Sequence, residues 1–239
     1  DVRRQLDILR NGITMPAPTR EGAATTMAGL STGLQSTYGR GRATYEGRQV
    51  SGNEAEALMG TLRDPVLLQE LWASWHDNVG APMRNDYQRM VGIANEGARE
   101  LGYGDVGAMW RSGYDMSPEE FARLTDRLWN EVRPLYVALH TYVRRKLSEH
   151  YGDDVQSPTG PIRADLLGNM WAQEWGNIYD LVAPPGSGDI GYDIGALLQA
   201  KDYDALRMVH AGENVYSSLG FAPLPQTFWE RSMFTRPAD

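Results

Sequence analysis

Two indoles, one glutamine and two asparagines are crowded into a single short run of this chain. It reads Leu166-Leu167-Gly168-Asn169-Met170-Trp171-Ala172-Gln173-Glu174-Trp175-Gly176-Asn177-Ile178-Tyr179-Asp180-Leu181-Val182. Leu167, Met170, Trp171, Trp175, Ile178, Tyr179 and Val182 recur at steps of three and four, the spacing of one helix face. Gln173 and Asn177, four apart, would share a neighbouring face, and Pro184-Pro185 would end the helix. An amide buried there must find partners, because an unpaired one costs about 1–3 kcal/mol. Gln173 therefore either ties the core together or presents its amide to a ligand.

Other chemistry-bearing residues are sparse. The four histidines are His76, His140, His150 and His210. A helical zinc pair needs imidazoles three or four residues apart so that both reach one ion. None is so spaced, and His-Glu-x-x-His is absent. His150 with Asp153-Asp154, and His210 with Glu213, are carboxylate–histidine neighbours of little specificity. The sequence predicts no metal ligands and no catalytic residues within these 239 positions. Gly39-Arg40-Gly41-Arg42 lacks the strand and helix context of a phosphate loop, and no serine sits in Gly-x-Ser-x-Gly.

The elements that must position these residues are helical. Residues 1–14 and 20–38 read as helices joined at Pro16-Ala17-Pro18, and 38–52 as a Gly/Arg-rich loop. Asn53 can cap a short helix over 54–62. Asp64-Pro65 opens another to about 78, and 85–101 forms the next. Ser117-Pro118-Glu119-Glu120 is a capping box with proline at the first helical position. It opens a long helix whose apolar face runs from Phe121 through Leu128, Val132, Leu135 and Leu139 to Val143 and Leu147, with a kink expected at Pro134. Residues 152–162 form a polar loop, 165–182 a helix, and two shorter helices follow at about 193–200 and 203–218. No strand pattern or repeat emerges, so the expected class is all-α. A single helical domain is expected over 1–239, with Gly186-Ser187-Gly188 as a loop more than a linker.

Composition is ordinary for a globular chain, at 41% hydrophobic and 23% charged residues. The net charge of −8 argues against nucleic acid, which demands a basic footprint. No run reaches the ~18 apolar residues of a membrane span. With no cysteine, disulfides and thiolate metal sites are excluded.

Several segments together resemble the angiotensin-converting-enzyme family of zinc peptidyl-dipeptidases. Leu166 to Gln173 is similar to that family's Leu-Leu-Gly-Asn-Met-Trp-Ala-Gln segment. Trp110-Arg111-Ser112-Gly113-Tyr114 resembles its Trp-Arg-Ser-x-Tyr. Arg133-Pro134-Leu135-Tyr136 with His140-Thr141-Tyr142-Val143-Arg144-Arg145 resembles its long middle helix. Pro223-Leu224-Pro225 and Phe228-Trp229-Glu230-Arg231-Ser232-Met233 resemble the approach to its metal site. The pieces keep family order and spacing over most of residues 60–239 and more loosely over 1–59.

The resemblance implies half of a two-lobed helical peptidase with a deep substrate groove. Zinc and its ligands would lie beyond Asp239, and the family's lid helices before Asp1. The chain thus reads as a piece of a larger enzyme that releases dipeptides from oligopeptide C-termini, inactive alone and partnered by the remaining C-terminal part. The lack of disulfides suggests a bacterial-type member, periplasmic or secreted. Gln173 matches the glutamine that binds the substrate's C-terminal carboxylate, with Trp171 and Glu174 as further substrate-binding candidates. Glu174 replaces a small hydroxyl residue and would favour basic C-terminal residues if it faces the groove. Tyr114 matches a tyrosine of a chloride site. Trp72 and Trp75 match a Trp-x-x-Trp-Arg motif at a second chloride. There His76 replaces the arginine, offering one donor and no fixed charge. Helix packing is the competing reading of Trp72 and Trp75. A non-catalytic helical peptide-binding protein, or a related zinc oligopeptidase cutting internally, is the rival reading of the chain. A carboxylate-binding glutamine speaks against the internal cutter.

Overall fold

The computed structural model describes residues 2–187 and 193–235. Gly188 of the possible linker, and the terminal stretch 236–239, lie outside the described residues. The chain forms two compact units, Asp1–Ala183 and Pro184–Asp239. The class is all-α, as the sequence predicts, apart from one hairpin.

The first unit opens with α1 (Val2–Asn11) and α2 (Ala23–Gly39). Two short strands follow, β1 (Arg42–Tyr45) and β2 (Arg48–Ser51), paired antiparallel with Ala43 opposite Val50. This hairpin corrects the expected loop at 38–52. Its turn, Glu46-Gly47, has both residues at positive φ, 50° and 74°, the primed turn that matches strand twist. Ala43 and Val50 point inward and are buried. Four-residue strands are too short for alternation to stand out in sequence.

Ser51, not Asn53, caps α3 (Gly52–Thr61), its side chain accepting from the Glu54 N–H. Asp64 caps α4 (Pro65–Trp75) as expected, accepting from Val66 and Leu67 N–H groups. The gap expected between about 78 and 85 does not exist. Instead a π-helical turn, His76–Gly80, joins α4 directly to α5 (Ala81–Glu100). Pro82 has no N–H to give, and the register shifts to a wider ladder just ahead of it, with Ala81 N–H reaching the His76 carbonyl.

After α6 (Val106–Arg111) comes α7 (Pro118–Tyr151), opened by the expected capping box and running through Pro134 without a break. Only its C-terminal third is deeply packed, with Val143 and Leu147 in the core. Leu128, Val132, Leu135 and Leu139, expected on a core face, are exposed. α8 (Tyr179–Val182) closes the unit.

Two apolar clusters support it. One joins the hairpin and α3, α4 and α7 around Met59, Leu71, Trp75, Leu147, Met170 and Ile178. The other joins α2, α5 and α6 around Met27, Ala94, Ala98 and Met109. The second unit holds α9 (Ile194–Ala200), α10 (Ala205–Ser218) and an unanticipated α11 (Gln226–Arg231). Asp193 and Asp204 cap the first two. Within it His210 stacks on Trp229 at 4.2 Å.

Candidate functional site

The stretch carrying Gln173 is not the helix its spacing suggests. It is helical only at short 3-10 turns, Ala164–Leu166 and Gly176–Ile178, and in α8. Residues 167–175 form an irregular loop, which corrects the helix expected over 165–182. Gly168 has φ 82° and Ala172 φ 55°, both left-handed and incompatible with a continuing helix. A Cβ at Gly168 would sit 2.9 Å from the Asn177 Cβ, so glycine is demanded twice over.

Polar bonds hold this loop rigidly. Asn169 is 1% exposed and uses both ends of its amide. Its Nδ2 donates to the Glu174 carbonyl at 2.8 Å, and its Oδ1 accepts the Trp171 N–H at 2.9 Å. Asn177 Nδ2 donates to the Gly168 carbonyl, and the Met170 N–H donates to Glu56 Oε2. Trp175 Nε1 donates to the Ala172 carbonyl at 3.1 Å. The same indole packs 6.1 Å from His140 and 6.4 Å from Tyr136, tying the loop to α7. Arg63 reaches across to the Asn177 carbonyl and to Asp180.

The result inverts the amide argument drawn from sequence. The buried, fully paired amide is Asn169, whereas Gln173 is exposed and its carboxamide has no partner among the described residues. Glu174 is exposed beside it, and Trp171 is 48% exposed. Asn169 was legible in the repeated Gly-Asn pairs, Gly168-Asn169 and Gly176-Asn177, which are turn formers.

Trp72 and His76 lie together, with ring centroids 4.0 Å apart. His76 Nδ1 contacts the Trp72 carbonyl at 2.8 Å. A carbonyl can only accept, so Nδ1 carries the proton and Nε2 is left unprotonated in the neutral ring. Trp72 Nε1 is buried without a partner among the described residues, while Trp75 is core, 4% exposed. Tyr114 stands apart from both groups, stacked on Phe121 at 4.2 Å and exposed. The fold brings His76 and Trp171 to one open cleft, which neither Gln173, Glu174 nor Tyr114 lines.

The histidines present do not fit a zinc centre. Among the described residues no three His, Cys, Asp or Glu side chains are grouped to hold a metal ion. His140 is engaged with aromatic rings, and His150 packs edge-on to Tyr151. No helix among the described residues is long and apolar enough to cross a membrane.

The family model described as angiotensin-converting enzyme matches residues 1–239. The angiotensin-converting enzyme of Sus scrofa is 41% identical over 187 residues, covering 78% of this chain and 14% of its own length. That of Bos taurus is 44% identical over 184 residues, covering 76% of this chain and 14% of its own length. The angiotensin-converting enzyme-like protein Ace3 of Mus musculus is 36% identical over 241 aligned positions, covering 100% of this chain and 32% of its own length. This chain therefore spans a minor share of each relative's length. With a match along its whole length and relatives at this identity, the chain belongs to the angiotensin-converting enzyme family.

Proposed function

We propose that this chain supplies one wall of the peptide groove in a zinc peptidyl-dipeptidase, with Gln173 donating from its amide to the free C-terminal carboxylate of an oligopeptide. The observation that carries this reading is an exposed, unpartnered carboxamide on a loop held rigid by Asn169. A solvent-facing glutamine on a mobile loop would lose its ordering entropy on binding; one fixed in advance loses far less. Glu174, beside it, would repel a second carboxylate and attract a basic terminal side chain. Trp171 offers a half-exposed indole for the body of the peptide.

Zinc, held by a part of the whole enzyme other than these residues, would lower the pKa of a bound water and so supply the nucleophile. This chain's part is to bind and register the substrate, so that the cut falls two residues from the carboxylate. By itself it is expected to be inactive. We also propose chloride at Tyr114, whose hydroxyl has no partner among the described residues.

The test compares the intact enzyme, wild type and Gln173→Ala, on peptides with free and amidated C-termini. A hydrogen bond to a charged group contributes about 1.5–3 kcal/mol, so kcat/KM for the free acid should fall roughly ten- to a hundredfold. The amidated peptide should lose nothing. Equal preference in both enzymes would reduce Gln173 to a surface residue and end this reading.

A further inference from the structure

The cleft shared by His76 and Trp171 has a composition that the groove reading does not use. It encloses about 460 Å³ between α2, the π-helical turn, the start of α5 and the Trp171 loop. That lies within the roughly 300–1,000 Å³ of small-molecule sites. Trp75 forms a fixed floor: a Cβ at Gly41 or Gly52 would meet its ring at 3.1 or 2.7 Å, and Tyr38 meets it edge-on at 5.6 Å. Tyr38, Tyr87 and Trp171 add half-exposed rings on the walls. A second hollow of about 480 Å³ shares Tyr38, Met83 and Tyr87, so the cleft extends along α2 and α5.

Its charge is one-sided. Among the described residues no Asp or Glu lines it, although the chain carries a net −8. Arg84 lines it and has no hydrogen-bond or ion-pair partner among the described residues. The nearby carboxylate of Asp86 is held by Arg89 at 3.2 Å. His76 adds a ring whose Nε2 has no hydrogen-bond partner among the described residues. The π-helical turn that delivers His76, Val79 and Gly80 to the cleft is a rare geometry, concentrated at functional sites.

We infer that this cleft binds an aryl carboxylate, its ring stacked among Tyr38, Tyr87 and Trp171 over Trp75 and its carboxylate paired with Arg84. The chemistry is shared by small aromatic acids and by the C-terminus of a peptide ending in tryptophan. The site does not depend on the role given to Gln173.

The test titrates the chain with N-acetyl-L-tryptophan, its amide, and a hexapeptide ending in free tryptophan, following the indole N–H resonances. Saturable binding of an acid should shift the Trp171 signal. The amide, lacking the charge, should bind at least about tenfold more weakly. Arg84→Gln, a change at an exposed side chain, should erase the difference between acid and amide. Tighter binding of the hexapeptide assigns the source to peptide termini, and equal binding to small acids. No saturable binding of either acid, equal binding of acid and amide, or shifts that spare Trp171 would each overturn the proposal.

Discussion

Asn169 bridges the loop that presents Gln173, donating to the Glu174 carbonyl at 2.8 Å from a side chain that is 1% exposed. The exposed amide therefore owes its position to a buried one four residues earlier. The loop is an extension of the core, because Leu166, Leu167 and Met170 on the near side of the bond are themselves buried.

Asn169→Ala should unfold more easily than wild type. It removes the bonds to the Trp171 N–H and the Glu174 carbonyl, at about 0.5–1.5 kcal/mol net for each. Asn169→Asp keeps the acceptor but turns an oxygen toward the Glu174 carbonyl, so it should also destabilise. Urea midpoints check both, and an unchanged midpoint for the alanine variant would contradict the bridging role.

The start of α7 should respond to acid through its capping box. The Ser117 N–H, and then its hydroxyl, hold Glu120 below the ordinary glutamate range. A lowered carboxyl pKa means that the charged form stabilises the fold. That contribution is complete above the unfolded value, about 4.3, and is lost as pH falls through the lower folded value. Protection of the Ser117 amide against exchange, relative to its intrinsic rate at each pH, should fall across that acid range in wild type and stay flat in Glu120→Gln. Ser117→Ala should cost about 1 kcal/mol at neutral pH.

Chloride activation of the intact enzyme should follow one saturable phase, assigned to Tyr114. At the other matched position His76 offers no fixed cation, and its Nδ1 is already committed to the Trp72 carbonyl. Tyr114→Phe should remove the phase. Two resolved phases in wild type would show that Trp72 Nε1, buried and unpaired, takes an anion after all.

Sequence by itself determined the helical class and the Asp64 and Ser117 helix starts, since these rest on local hydrogen bonding and on periodicity. Its motifs also carried the family. It could not tell that the apolar period through Leu167, Met170 and Trp175 belongs to a loop. There the side chains are buried by contacts from α3, α4 and α7 together, so a helical repeat carried no single face. Only the tertiary structure decided that Asn169 is the paired amide and Gln173 the free one, because both choices satisfy the same local chemistry. It decided, too, that Leu128, Val132 and Leu135 lie in the open: periodicity reports which face of a helix is apolar, never whether anything covers it.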